Sequence, residues 1–546
     1  MFRDQEFSAD QRGRALQRIK DVKALRARQF VEDAGPLAHP VRPASYMKID
    51  NFYTATIYDK GAELIRMLKF ILGPEQFRAG CDLYFDTLDG TAATVEDFVS
   101  CFEKSSGQDL SQFMRWYEQA GTPKVTVNKI HNKSAKTLTL SLSQETRATS
   151  GQPIKNPVLM PVKIGLLDKT TGDQIAQKDF VFKDKSETIK FDYIDADPVV
   201  SIFRQFSAPV TIDIDAPATD RLIQMKFDPD HFNRWEAGQA LARDLLVDLT
   251  VSLETGNAPT RPEVLNMYTR AIGDIISDKT IDDGFKSLAI TPPADDAVLQ
   301  AMNGQPTDPM AIRQAIKLLR RAVSEHHHSA LVSLYEKLSS PIEFKPDAAG
   351  AGRRVLRNTC LSFIASKPGT DAVPLAKQQM DNATNMTEEI GALLILVRKG
   401  GHDANDALHK FYSKWKHNPL VVDKWFAANA QIGGARAIEK IRQMTEHKDY
   451  KDGNPNRIRA LIGGFAVGNP ENFHKLNGDG YKFVADNVLE IDKRNPQVAA
   501  RLLSVFGIWN KIDAARASLI QNELGRILAE KPSPNVIEIA TKSLGD

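Results

Sequence analysis

Hydrophobic and polar positions divide the chain into three stretches with different periods. The first is helical. In Asn51–Leu72 (NFYTATIYDKGAELIRMLKFIL), Ile57, Ala62, Ile65, Leu68 and Leu72 fall at helical spacing, which predicts a helix from near Asp59 to a stop at Gly73-Pro74. Glu63 and Arg66, three apart, are placed to pair on its outer face. Gly61 and Ala62 are small enough to admit a neighbouring backbone. Upstream, Met1–Asp33 is polar with Phe7, Leu16, Ile19, Val22 and Leu25 along one side, and Gly35–Ser45 (GPLAHPVRPAS) carries three prolines and reads as a loop. Downstream, Pro74–Phe85 reads as a second helix with proline in its first turn. Thr94 with Asp97 caps a third, running to about Lys104. Asp109 caps a fourth, LSQFMRWYEQA, closed by Gly121.

At Lys124 the period changes to two. KVTVNKI, TLTLSLSQ, VLMPVKIGLL, DFVFK, TIKFDYI and VVSIF alternate or run β-branched and aromatic, with polar turns at Asn132–Ala135 and Thr170–Asp173. From about Phe227 the helical period returns and persists to the end, as in RWEAGQALARDLLVDLTVSL, DPMAIRQAIKLLRRAVSEH, EEIGALLILVRK and NVIEIATKSL. The expected architecture is a multidomain α+β chain. Residues 1–121 form a helical region, 122–223 a small β-sandwich that spaces its neighbours, and 224–546 a large all-α superhelical domain of stacked helix pairs without a fixed repeat period.

Composition narrows the function classes. The 71 basic and 69 acidic residues leave a formal net charge of +2, which gives no electrostatic basis for binding nucleic acid or an anionic membrane. No apolar run is long enough to span a bilayer, and the opening MFRDQEFSADQRGR has no apolar core, so it does not read as a secretory signal. Three scattered cysteines, Cys81, Cys101 and Cys360, make neither a disulfide framework nor a cysteine zinc site and point to a reducing compartment, the cytoplasm.

Few residues stand out chemically. The histidine run His326–His328 has the wrong spacing for one metal ion, since neighbours on a helix diverge by about 100°, and reads as a solvated helix end. His39, between alanine and proline, reads as structural, because a general base also needs an orienting partner. No nucleophile elbow, Walker loop or complete dinucleotide fingerprint occurs. Tyr58 has two readings that the residues alone leave open. It is a packed aromatic whose hydroxyl finds one partner, or a phenol placed to donate to a developing oxyanion. Arg457, Arg459 and Arg501 read as solvated helix charges.

NFYTATIYDKGAELIRML closely resembles the segment that follows the zinc site in zinc aminopeptidases of the aminopeptidase N family, and the resemblance is closest to the bacterial branch. Further stretches match along the chain: RNTCLSFIA, NMTEEIGALL, VVDKWFAANA, NPNRIRALIGGFA and NPQVAARLL. The resemblance implies that Tyr58 stabilises the tetrahedral intermediate, with Tyr53 and Asp59 among the substrate-binding residues beside it. It implies that Gln497 and Arg501 border the pocket for the first side chain, and that Arg459 faces the peptide beyond the cut bond. A PxAHPxRP loop like that around His39 runs near the active site in a supporting role. Asp59 replaces the usual glutamate, and Asp50 stands where many relatives carry asparagine, which touches fine substrate preference.

The same resemblance shows what is missing. The family's zinc site is an HExxH pair of histidines with an intervening glutamate base and a later glutamate ligand. This sequence contains no HExxH and no GxMEN-type motif for the substrate's amino group. Its opening, MFRDQEFS, is similar to the residues directly after the third zinc ligand. The implied picture is the C-terminal part of an aminopeptidase, beginning with a helical remnant of a thermolysin-like catalytic domain. Zinc is the cofactor of the full-length family, and this chain alone is expected to ligate none. Peptides are the implied substrates and the missing N-terminal catalytic part the implied partner. The alternative reading is a non-catalytic peptide-binding or scaffolding relative, or one half of a split enzyme.

Overall fold

The computed structural model describes residues 1–35, 38–44, 53–302, 304–451 and 453–544; Asp50 and the opening of the Asn51–Leu72 stretch lie outside them. The chain forms two compact units, Met1–Leu241 and Ala242–Asp546.

The first unit opens with helices α1 (Phe2–Arg12) and α2 (Arg14–Asp33), separated by Gly13 at φ 96°. α2 buries Ile19, Val22 and Leu25 as expected, but Phe7 is 66% exposed. α1 is a polar helix that turns Gln5 and Ala9 inward, and this leaves Phe7 on the outer side. One turn of π-helix, Thr56–Lys60, leads into α3 (Gly61–Leu88). The expected stop at Gly73-Pro74 is a kink: Gly73 takes φ 77°, ψ 164°, and Pro74 starts a second helical segment. The segment before the kink is buried nearly all round, with Ala62, Leu64, Met67, Leu68 and Leu72 in the core. Glu63 and Arg66 are therefore interior, not on an outer face, and Glu63 takes both guanidinium nitrogens of Arg18 from α2. Gly61 faces the Val41 side chain at ordinary contact distance, and among the described residues no other chain segment's backbone comes within 4 Å of the place a Cβ would take.

The capping box of Thr94 and Asp97 opens α4 (Val95–Ser106), and Gly80 of α3 lies directly under the Phe102 ring. The expected fourth helix shortens to α5 (Arg115–Glu118). Gln112, Arg115, Trp116 and Gln119 all donate to carbonyls of residues 156–159, and these bonds to the β-module hold the segment in tight turns.

Seven strands follow: β1 (Lys124–Asn132), β2 (Thr137–Glu145), β3 (Met160–Asp168), β4 (Gln174–Phe182), β5 (Ser186–Asp192), β6 (Pro198–Ile202) and β7 (Thr211–Ile214). They make two sheets, β5-β2-β1-β7 and β4-β3-β6, whose inner faces share one core with α3 and α4. β7 has no counterpart in the sequence reading. It is four residues long and mostly exposed, and its parallel pairing with β1, from Lys124↔Thr211 to Val127↔Ile214, defines it. Between β6 and β7, Phe203, Gln205 and Phe206 all have positive φ, and Arg18 of α2 donates to the carbonyls of Gln205 and Phe206, both at 2.9 Å. Two helices, α6 (Ala218–Phe227) and α7 (His231–Thr255), come next, and the division between the units falls inside α7.

The second unit is helical from Pro262–Ser277 to Pro534–Leu544. Asp-Pro or Asn-Pro opens helices at Asp308, Asn418, Asn454 and Asn495, where the first side chain caps and proline fits the first turn, and at Asn469, whose side chain makes no cap bond. Helices stack in series, with Ala348–Ile364 on Met386–Lys399 and the latter on Pro419–Asn429. The histidine run is a solvated helix end only at His326, which is exposed and closes the helix Pro309–His326. His327 joins two helices, and its Nε2 stands 2.7 Å from the Thr269 carbonyl. The ring fits because Gly273 beneath it has no side chain; a Cβ there would lie 2.2 Å from the imidazole.

Candidate active site

The π turn gathers three of the six candidate residues or their neighbours. Tyr58 sits at its centre, Asp59 follows, and Tyr53 stacks on Tyr58 with ring centroids 6.3 Å apart. A π turn holds one residue more than an α turn and shifts the phase of everything before it by about 100°. In an unbroken α-helix Tyr58 would share the face of Ala62, which is buried. With the extra residue, Thr56, Asp59 and Lys60 point inward while Tyr58 is 44% exposed. Among the described residues its hydroxyl makes no hydrogen bond.

The flanks of Tyr58 are anchored by the last turns of α2. Glu32 accepts from the Ala55 N–H at 3.2 Å, Gln29 donates to the Thr56 hydroxyl at 3.4 Å, Arg28 pairs with Asp59 at 3.2 Å, and Asp33 pairs with Lys60 at 3.0 Å. Lys60 is fully buried and also donates to the Gly121 carbonyl. Burial raises the Asp59 carboxyl, and the Arg28 guanidinium only partly offsets this. Asp33 is more deeply buried, yet Lys60 with bonds from Gln29 and Thr122 holds it below the usual carboxylate range.

His39 proves to have the orienting partner that the sequence did not reveal. Its Nε2 lies 3.0 Å from Glu32 and its Nδ1 2.8 Å from the Pro40 carbonyl. Both partners are acceptors, so the ring satisfies both only as the imidazolium. The bond to Glu32 accordingly raises the His39 pKa. On Glu32, burial acts upward, but bonds from His39, Thr56 and Thr54 outweigh it and leave the carboxyl lowered. Sequence reasoning missed Glu32 and Asp33, although one signal was present. A helix that ends in Glu-Asp opposes its own dipole, which favours cations at that end.

The other candidates belong to the second unit. Arg459 is exposed and opens a second π turn, Arg459–Gly463, with its guanidinium on Asn456. Gln497 and Arg501 are both exposed, four apart on the helix Pro496–Leu503. Arg457, read as a solvated charge, is buried against Asp423 at 3.4 Å. Thus the two π turns among the described residues carry Tyr58 and Arg459, and such turns concentrate at functional sites. Among the described residues no group of three or more His, Cys, Asp or Glu is placed to hold a metal ion.

Comparison with known proteins agrees with this organisation. Residues 3–117 match the peptidase family M1 domain, 121–215 a domain of unknown function with an Ig-like fold (DUF3458), and 218–545 a domain of unknown function with ARM repeats (DUF3458_C). Aminopeptidase N of Caulobacter vibrioides is 45% identical over the whole chain, and aminopeptidase N of Escherichia coli is 34% identical. The chain spans 62% and 63% of those relatives. The crystal structure of Legionella pneumophila aminopeptidase A in complex with aspartic acid superposes over the whole chain and 62% of its own length, with a TM-score of 0.85 at 28% identity.

Proposed function

We propose, from the premise that the chain belongs to the bacterial aminopeptidase N family, that it is the part of a zinc aminopeptidase that supplies the oxyanion-stabilising phenol. The reaction is release of N-terminal amino acids from peptides. The observation that carries the reading is the setting of Tyr58: an exposed phenol whose hydroxyl has no hydrogen bond among the described residues, between neighbours that are buried and bonded. A donor held this way needs no reorganisation when charge develops on a peptide carbonyl oxygen. Tyr53 stacks on the phenol and forms the wall of the site beside it. Arg459, Gln497 and Arg501 present polar groups suited to the peptide backbone and the first side chain.

Zinc in this family polarises the carbonyl and activates water. The family's zinc motif, HExxH, does not occur in this sequence. In this reading zinc is held by residues outside the chain, and the chain alone is inactive. The free cysteines fit a cytoplasmic location, and no helix among the described residues is long and apolar enough to cross a membrane.

The test is Tyr58→Phe in zinc-loaded enzyme containing this chain, assayed on an aminoacyl-nitroanilide. Turnover should fall by about 10²–10³, the usual cost of one oxyanion donor, with little change in KM. Unchanged turnover would sink the role given to Tyr58.

A further inference from the structure

The end of α2 and the π turn meet as two matched surfaces. Arg28, Gln29, Glu32 and Asp33 occupy one side of the helix over its last two turns. Their partners, Asp59, Thr56, Ala55 and Lys60, bracket Tyr58 on both sides. We propose that α2 is a template for the π turn, and that Glu32, pinned by His39, is the positioning residue that fixes where the Tyr58 hydroxyl points. The inference rests on the reading of Tyr58 as the oxyanion donor.

Three observations carry it. First, the helix that begins at the π turn has no side-chain cap of its own on the Ala55 N–H; Thr54 reaches only the Ile57 N–H, at 3.3 Å. Glu32 takes the Ala55 N–H from another helix, and so places a carboxylate at a helix N-terminus, where the dipole favours it. Second, Glu32 is itself immobilised. One oxygen holds the His39 ring, whose other nitrogen is fixed on the Pro40 carbonyl, and the other oxygen holds Ala55. Third, the phenol makes no bond of its own to a described residue beyond stacking on Tyr53. Its direction is inherited from the backbone of residues 55–60, and displacement by about 1 Å at a reacting centre can cost 10²-fold in rate.

Asp33 and Lys60 clamp the other end, but both are fully buried and their variants report on folding. Glu32 and His39 are partly accessible, so their variants report on position.

Two measurements test the proposal. In the chain itself, Glu32→Ala should speed amide hydrogen exchange across residues 55–60 at least about tenfold while the protected core of α3, around Leu64–Leu72, is unchanged. Glu32→Gln, which keeps an oxygen for the Ala55 N–H, should restore most of the protection. In zinc-loaded enzyme, Glu32→Ala should lower kcat about tenfold at constant KM, and Tyr58→Phe/Glu32→Ala should fall no further than Tyr58→Phe alone, since both losses run through one group. His39→Gln should show a smaller loss that likewise vanishes in the Tyr58→Phe background, and it serves if Glu32→Ala does not fold. Multiplicative losses, or unchanged exchange over 55–60, overturn the template while leaving Tyr58 in its role. If Tyr58→Phe retains full turnover, the reading of Tyr58 falls and the inference falls with it.

Discussion

His39 and Glu32 form a pair whose two members titrate in opposite directions, which gives it a defined pH window. The folded state raises His39 above its ordinary 6.5, so its stabilising contribution is complete below 6.5 and is lost as pH rises through the folded value. The folded state lowers Glu32 below its ordinary 4.5, so its contribution is complete above 4.5 and is lost as pH falls. Both are fully present between those limits. His39→Gln should flatten the decline in stability above pH 6.5 relative to wild type, followed by thermal unfolding across pH; an unaltered slope would show that the ring does not carry the charge. At this scale the sequence was only partly legible. Tyr58 was visible through its surroundings in the chain, whereas Glu32 and Asp33 are ordinary acidic residues until folding brings Ala55 and Lys60 to them. Their one local sign, acids at a helix C-terminus, is small beside the usual scatter of surface charge.

Elements were legible where the pattern was local. The capping box at Thr94 and six of the seven strands follow from residues a few positions apart. β7 and the shortened α5 do not, because β7 exists through pairing with β1 and the segment around α5 through bonds to residues 156–159. The burial of Glu63 and Arg66 was also misjudged, since a helix with a polar stripe reads as half-exposed until Arg18 arrives to neutralise it. The seam between α3 and α4 offers a clear test. A Cβ at Gly80 would lie 2.3 Å from the Phe102 ring. Gly80→Ala should therefore destabilise by about 1–3 kcal/mol through overpacking, against a gain in helix propensity of roughly 1 kcal/mol at most, measured by urea unfolding. A more stable variant would mean that the Phe102 ring moves aside without cost.

Within the first unit, α2 is the element on which the others converge. Its C-terminal end holds the π turn; near its start, Arg18 joins α3 through Glu63, holds the positive-φ turn after β6 through two carbonyls, and stacks on Phe206. Arg18→Met should cost about 3 kcal/mol, the lower end for a broken buried pair, because the buried Glu63 keeps only Arg66, at 3.7 Å, as counter-charge. Arg18→Lys should recover only part of that, since an ammonium cannot span the carboxylate and both carbonyls at once. Equal stability of Arg18→Met and wild type in urea unfolding would remove Arg18 from this role. The succession of helical, strand and helical stretches was readable from the periods of the chain alone; this convergence was not, because it joins residues far apart in sequence.

The reach of Arg18 has a consequence for synthesis. Its carbonyl partners lie 187 and 188 residues downstream. At about 5–20 residues per second, a ribosome needs roughly 10–40 seconds after making Arg18 before those carbonyls exist. For that interval Arg18 has at most Glu63, 45 residues downstream, to pair with, so the bonds that tie α2 to the turn after β6 form only late in synthesis of the first unit.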